Sequence, residues 1–377
     1  MIKVIHLGKF DSPDRGGIEN HVDSLCTALS KKKIYVLNII SNRRFTFKKK
    51  IKKNFEVVSL PSFFKIFSTA FNIFLPFYVY KKIIFNKFKI IHIHHPDPLS
   101  HLTLLFIPKR IKIVLTWHSD IVAYKFLYFF YKPLLINFLS KVDVIVVATP
   151  KHISSSDILK NPKFKDKIKI VPYGIDIKYL NSKKFQEASK DIRDKYKKNF
   201  LIFTLSRHVY YKGIVYLIKA MYQTSNCVLL IGGTGPDTNK LKNLVKNMNL
   251  KKKVIFTGFI HRDKLPPYFH ASDVFCLPST EKSEAFGIAM AEAMACSKPI
   301  ITTNLGTGMN SVCSNKTGIT VEAKNSMALS KAIIKLQTSK TLRETYAKNA
   351  GKRIGSLYTH DIMRDRTISI YNSLITN

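Results

Sequence analysis

The stretch EKSEAFGIAMAEAMACSKPI, residues 281–300, decides the reading of this chain. Two carboxylates, Glu284 and Glu292, stand eight positions apart in it. Between them lie a small turn, Ala285-Phe286-Gly287, and an Ala/Met-rich run with the composition of a buried helix. At about 1.5 Å of rise per residue that spacing covers roughly 12 Å, and about 100° per residue puts the two side chains on neighbouring faces. The pair can therefore hold two separate parts of one elongated ligand. If Phe286 and Gly287 open the helix, its first N–H groups and positive dipole end lie beside Glu284 and seat a phosphate or a hydroxyl-rich group. Glu292, two turns in, reaches a second polyol.

Outward from this stretch, short apolar strands alternate with helical segments, the pattern of a parallel sheet covered by helices. In the second half strands are expected at residues 200–205, 228–231, 254–257 and 274–277. In the first half they are expected at 2–7, 35–40, 55–58, 90–94, 111–116 and 144–148. Ligands of an open α/β sheet gather where strands end. Arg207 and Lys212 follow one such end and flank a turn that leads to a helix opening at Gly213. A guanidinium fork and an ammonium point charge suit a diphosphate. Gly16 and Gly17 follow the first strand, and His118 and Asp120 follow the strand at 111–116. No G-x-G-x-x-G is present, which disfavours an NAD-dependent enzyme. In IHIHHPDPL, His92 and His94 share one face of a strand while His95 points away, so the three are read as histidines of a strand end and not as a zinc site.

A chain of 377 residues suits two domains of about 150–200 residues. Apolar content of 46% and charged content of 23% are those of a folded globular protein. The net charge is +38. It is spread along the chain, with 31 basic and 11 acidic residues up to Lys178 and 31 and 13 beyond. A nucleic-acid patch would concentrate that charge on one element; the spread fits anionic ligands at an anionic membrane surface or a lysine-decorated solvated surface. Five cysteines without C-x-x-C spacing read as core residues in a reducing compartment. Met1 leads straight into a strand pattern, so no signal peptide is expected.

Residues 63–88 are basic and aromatic, but only 15 uncharged residues separate Lys65 from Lys81, with Asn72 and Pro76 among them. A spanning helix needs about 20. The segment reads as amphipathic, packed on the sheet or dipping into a bilayer surface. The cationic run before it, from Arg43 and Arg44 through Lys53 with Phe45, Phe47 and Ile51 interleaved, reads as a solvated loop or as part of a surface for a lipid diphosphate.

The pattern S-E-A-F-G-I-x-M-x-E-A-M-A-C around Glu284 and Glu292 resembles the signature of the retaining glycosyltransferases of family four, which have the two-Rossmann (GT-B) fold. Other motifs agree in order: the GG loop, His118 in LTWHSDI, the P-x-G-[VI]-D turn at residues 172–176, and R-x-x-x-x-K-G at 207–213. The resemblance covers nearly the whole chain. It assigns Glu284 to the hydroxyls of the donor sugar and Glu292 to the ribose of the nucleotide. Arg207 and Lys212 go to the diphosphate, Gly258 and Phe259 to the nucleobase, and Phe286, Gly287 and Ile288 also to the donor. Gly16 and Gly17 approach the diphosphate and the acceptor. His118, with Glu284 one of the two implied catalytic residues, contacts the transferred sugar and the acceptor region, and Asp120 and Glu19 belong to the acceptor side. One departure is visible. The family usually has Gly after Ala-Cys, where this chain has Ser297, at a small local cost because a helix C-terminus prefers a left-handed Gly.

By this resemblance residues 1–180 form an N-terminal Rossmann-like acceptor domain, 181–199 a linker, 200–358 a C-terminal Rossmann-like nucleotide-sugar domain, and 359–377 a terminal helix packing back on the first domain. The α/β domains of such a fold face each other across a cleft. The implied enzyme is a hexosyltransferase using a nucleotide-diphosphate sugar, GDP-mannose first and a UDP-sugar second. No D-x-D pair is evident, so no metal or other cofactor is expected and the cations meet the leaving diphosphate. The implied acceptor is a glycan on polyprenyl diphosphate, in O-antigen or capsule synthesis. The implied place is the cytoplasmic face of the plasma membrane, held peripherally. A basic nucleic-acid-binding protein leaves Glu284 and Glu292 without a purpose, a non-catalytic glycan-binding relative predicts a missing site residue, and an epimerase predicts turnover without an acceptor.

Overall fold

The computed structural model describes residues 1–10, 16–42, 47–62, 64–66, 69–121 and 125–376. The chain divides into two compact units, Met1–Gly174 with His360–Asn377, and Ile175–Thr359.

The first unit runs β1 (Ile2–Phe10), α1 (Gly17–Ser30), β2 (Ile34–Asn42), β3 (Lys48–Lys52), β4 (Phe55–Pro61), β5 (Phe64–Ile66), β6 (Thr69–Phe71), α2 (Phe74–Asn86), β7 (Ile90–His95), α3 (Pro98–Thr103), β8 (Lys112–Trp117), α4 (Lys125–Lys141), β9 (Val144–Val147), α5 (Pro150–Ser155) and β10 (Ile168–Ile170), and is completed by the terminal helix His360–Thr376. Its main sheet has the order β10-β9-β8-β7-β1-β2-β4-β3. All its pairs are parallel except β3 with β4. Strands β7 and β9 are buried at every position, as expected of a parallel sheet covered on both faces. On one face α1 buries Val22, Leu25, Cys26 and Leu29, a helical stripe, in one cluster with Met363, Ile370 and Tyr371 of the terminal helix. On the other, Leu75, Val79 and Ile83 of α2 and Leu135, Phe138 and Leu139 of α4 close the core.

Two expectations change here. The lysine run is a strand, not a loop: β3 is exposed throughout and forms the antiparallel edge, where lysines keep an open edge from pairing with another chain. Arg43, Arg44 and Phe45 lie outside the described residues. The segment at 63–88 is a short hairpin, β5 with β6, followed by α2; its residues 63, 67 and 68 also lie outside them.

The second unit runs α6 (Ile177–Leu180), α7 (Lys183–Lys195), β11 (Phe200–Leu205), α8 (Ile214–Met221), β12 (Cys227–Gly232), α9 (Thr238–Asn247), β13 (Val254–Gly258), α10 (Pro266–Ala271), β14 (Val274–Leu277), α11 (Ile288–Ala295), β15 (Ile300–Thr303), α12 (Met309–Val312), β16 (Gly318–Val321), α13 (Ser326–Thr338) and α14 (Lys340–Leu357). Its sheet is parallel throughout, in the order β13-β12-β11-β14-β15-β16. The strand order reverses between β11 and β14, which opens a crevice at their carboxyl ends. Residues 181–199, expected as a linker, carry α7 inside this unit. Phe185 is buried, and Arg193 clasps Asp273 at 2.8 Å ahead of β14. The chain passes between the units at 174/175 and 359/360 instead.

Helix α11 opens at Gly287, whose φ of +77° is left-handed, and closes on Cys296. Beyond it Ser297 takes φ +54°, with Ser297 N–H donating to Met294 and Lys298 N–H to Ala293. The departure noted in the sequence thus falls on the left-handed cap itself, a conformation that costs an L-residue about 1–2 kcal/mol. Ser297→Gly removes that strain at a smaller cost in unfolded-chain entropy. It is expected to raise stability by about 0.5–1 kcal/mol in urea melts; an unchanged or lower midpoint would show that the cap is unstrained.

Candidate active site

In the second unit the crevice is built from the ends of β11 and β14. After β11 the chain passes Arg207 and a 3-10 turn, Tyr210–Lys212, to Gly213, the left-handed N-cap of α8. A Cβ at Gly213 would stand 2.0 Å from the Pro278 carbonyl oxygen, so only glycine lets the two strand-end loops meet this closely. That approach places Lys212 against Glu284: Nζ donates to Oε2 at 2.5 Å, and Ser279 Oγ donates to the same oxygen at 3.0 Å. Thr307 Oγ1 donates to the Glu284 backbone carbonyl at 2.8 Å. Both charged side chains are mostly buried, at 17% and 10% exposure. Burial works to lower the Lys212 pKa, but the Glu284 carboxylate, with Tyr211, outweighs it and holds the ammonium above its ordinary range.

Glu292 stands on the second turn of α11. Among the described residues its carboxylate accepts no hydrogen bond, and burial pushes its pKa up to about 7 against the opposing charge of Arg262. Such a carboxyl gains most from hydroxyl donors brought by a ligand. Arg207 is exposed, as is Phe259, which follows Gly258 (φ +72°) and contacts His261 with ring centroids 5.1 Å apart. Gly287 and Ile288 present the first N–H groups of α11. Phe286 precedes them. Its ring is buried against Tyr358, so any donor contact there falls to its backbone.

In the first unit Gly16 caps α1, its N–H donating to Glu19 Oε2 at 2.8 Å, and Gly17 begins the helix. Glu19 is thus a capping residue in this structure. Asp120 accepts from Trp117 Nε1 at 2.9 Å. His118 is buried at 4% exposure, with both ring nitrogens engaged, Nδ1 with the Tyr173 hydroxyl and Nε2 with His94 Nδ1 at 3.0 Å. The register that sets His6 beside His92 and His94 beside Thr116 extends this into a chain of hydrogen bonds. His94 Nε2 meets His6 Nδ1 at 3.1 Å, His6 Nε2 meets the Tyr371 hydroxyl at 3.1 Å, Tyr371 meets His92 Nδ1 at 2.6 Å, and His92 Nε2 meets Thr116 Oγ1 at 2.7 Å. His6, His92, His94 and His118 each have their pKa pushed down, first by burial and then by their neighbours, so these four are neutral. A neutral imidazole has one donor and one acceptor, so the bonds can all run in one direction or all in the other, and the two ends are coupled. Tyr371→Phe leaves His6 and His92 each short of a buried partner. It is expected to cost about 1–3 kcal/mol in a urea melt; a cost below about 0.5 kcal/mol would mean the hydroxyl is dispensable to the chain.

His95 stacks on Trp117 with centroids 3.8 Å apart, away from this row. Among the described residues no group of three or more His, Cys, Asp or Glu is arranged to hold a metal ion. The sequence reading missed Ser279 and Thr307 around Glu284, and His6, Tyr173 and Tyr371 around His118. Nothing marks them in the sequence, since His6 and Tyr371 meet across 365 positions.

The same architecture is found in solved structures. Sucrose-phosphate synthase from Thermosynechococcus elongatus superposes with a TM-score of 0.84 over 100% of both chains at 18% identity. The fold is that of the GT-B glycosyltransferases, and the chain is a transferase enzyme. The Glycosyltransferase Family 4 model matches residues 15–179 and the Glycosyl transferases group 1 model residues 185–353. The chain is 29% identical over 385 residues to O-antigen chain mannosyltransferase C of Escherichia coli, covering 99% of each. It is 30% identical over 271 residues to the D-rhamnosyltransferase WbpZ of Pseudomonas aeruginosa, covering 72% of this chain and 70% of that one. It belongs to the family-four glycosyltransferases, as its motifs implied.

Proposed function

We propose that the protein transfers mannose from GDP-mannose, with retention at the anomeric carbon, to a glycan acceptor carried on a polyprenyl diphosphate. The setting is bacterial O-antigen or capsule synthesis at the cytoplasmic face of the plasma membrane. The observation that carries the reading is the Lys212–Glu284 pair at the strand-order reversal of the second unit, with the Arg207 side chain and the Glu292 carboxylate making no hydrogen bond among the described residues. Arg207, Lys212 and the first N–H groups of α11 receive the diphosphate, where its charge grows as the sugar leaves, and no divalent metal is called on. Glu284 holds the sugar hydroxyls through the oxygen that Lys212 and Ser279 orient. Glu292 takes the ribose hydroxyls, and Phe259 and Gly258 border the base.

In the transfer the bond from the anomeric carbon to the diphosphate oxygen breaks, and the acceptor oxygen bonds on the same face. Its proton passes to the departing diphosphate, so no protein nucleophile is needed. For Gly16, Gly17 and His118 of the first unit the roles toward donor and transferred sugar, and for Asp120 and Glu19 the acceptor-side role, rest on the family resemblance alone. The choice of mannose rests on the two relatives, whose names give mannose and its 6-deoxy form. The test is incubation with GDP-mannose and a panel of UDP-sugars in chelator, following nucleoside diphosphate release and the anomeric proton of the product by NMR. GDP release with an α-linked product supports the reading. Release from a UDP-sugar alone moves the donor, and an inverted product or a strict metal requirement overturns the mechanism.

A further inference from the structure

Two helices of the first unit are apolar on both faces. Helix α4 buries Leu135, Phe138 and Leu139 and turns Phe126, Phe129 and Phe130 outward, 65–77% exposed. The Phe130 ring lies 5.3 Å from that of Phe126 and 5.4 Å from that of Phe129, so the three form one outward cluster. Helix α2 buries Leu75, Val79 and Ile83. On its other side Ile73, Phe77, Tyr80 and Ile84 recur at helical spacing, all exposed. Helix α3 and the 3-10 turn Leu104–Phe106 pack against α2, and α3 is joined to α4 by the His101–Tyr131 hydrogen bond. This middle element exposes Leu102, Leu105 and Phe106. Single exposed aromatics are ordinary; a series on neighbouring elements marks an interaction surface.

Charge selects the occupant. Helices α2 and α4 contain lysines and no acidic residue, and Lys87, Lys89, Lys109 and Arg110 nearby in the chain are exposed. A second copy carries the same +38 and meets like with like, whereas an anionic bilayer attracts the lysines and takes up the apolar side chains. Among the described residues no helix is long and apolar enough to cross a membrane. We propose that α2, the α3 turn and α4 form an interfacial docking face for an anionic bilayer, with Phe126, Phe129 and Phe130 as the inserting wedge. Its purpose rests on the lipid-carried acceptor of the proposed function. Its physical basis does not.

The full chain is sedimented with vesicles of phosphatidylcholine alone and of phosphatidylcholine with phosphatidylglycerol, at low and high salt. Beside it run the Phe126→Ser/Phe129→Ser/Phe130→Ser variant and, in parallel, the thermal shift given by GDP and UDP. The wild type is expected to bind the anionic vesicles at low salt, and the triple variant at least about tenfold more weakly, with an unchanged melting temperature and nucleotide shift. No wild-type binding at low salt, or equal binding by the variant, overturns the proposal and leaves the donor reading standing. Vesicle binding without any nucleotide shift sinks the transferase reading and leaves the docking face standing. A dimer that the triple substitution dissolves, with vesicles ignored, overturns the proposal in favour of a second copy.

Discussion

Glu284→Gln is expected to lower transfer by at least about 10³-fold and to cost about 3 kcal/mol of stability, and Lys212→Met to do the same. The two effects have different origins. The stability loss follows from burial, because Lys212 and Glu284 are 17% and 10% exposed and removing one partner leaves the other charge uncompensated. The activity loss of Lys212→Met follows from charge developing on the diphosphate as the sugar departs, where a positioned cation is worth a few kcal/mol of barrier; that of Glu284→Gln follows from losing the carboxylate that holds the sugar hydroxyls and positions that cation. The double variant Lys212→Met/Glu284→Gln separates them. With no charge left unpaired it should recover most of the stability, a coupling seen as strong non-additivity, and recover none of the transfer. Single variants that each cost under about 0.5 kcal/mol would show that the pair is solvated and not structural. A double variant with restored turnover would remove both residues from the chemistry.

Acid is expected to unfold the first unit well above the carboxylate range. His6, His21, His92, His94, His95, His101, His118 and His152 all belong to it and are all buried. Burial is the leading cause that pushes each pKa below 6.5, to about 3 for His6, His21 and His101 and about 4 for His152. With folded values below unfolded ones, the unfolded chain takes up protons first as the pH falls. Stability is therefore full above about pH 7.5 and declines from about pH 6.5 toward the folded values, by up to about 1.4 kcal/mol per pH unit for each histidine. If half of them respond, about 4 kcal/mol is lost between pH 6.5 and 5.5, a large part of the stability of many domains. Trp117, the one tryptophan, is buried in this unit against His95 and reports on it alone. Its fluorescence should show a cooperative transition with a midpoint between about pH 6.5 and 5. A signal flat to pH 4.5 would mean that the histidines titrate in the folded state without strain.

What the sequence makes legible is what short-range pattern controls. The parallel strands announce themselves as apolar runs. The strand ends are marked by turns and charged residues, and of the residues singled out there the structure brings Lys212 and Glu284 together. Ser297 could even be read as a left-handed cap, because helix termination is local. Legibility fails where contacts are long-range or where one composition serves two purposes. Residues 181–199 are polar enough for a linker, yet Phe185 and the Arg193–Asp273 clasp fold them into a helix of the second unit. The histidines at 92–95 read as the end of a strand, but the chain that joins His118 to Tyr371 depends on strand register and on the terminal helix. Nothing in the sequence analysis singles out helix α4. Only exposure shows that its Phe126, Phe129 and Phe130 face outward.

The central claim, that the second unit is a metal-independent seat for a nucleoside diphosphate, is tested most directly by calorimetric titration of GDP and UDP in chelator. The wild type and Glu292→Ala would be compared at pH 8 and pH 6. One nucleoside diphosphate is expected to bind the wild type, and Glu292→Ala to weaken it at least about tenfold, the loss of about 1.4 kcal/mol expected for hydroxyl hydrogen bonds to a carboxylate. Wild-type binding should also weaken toward pH 6, as the carboxyl held near 7 takes up its proton. Binding of neither nucleotide, or equal binding by Glu292→Ala at both pH values, would contradict it.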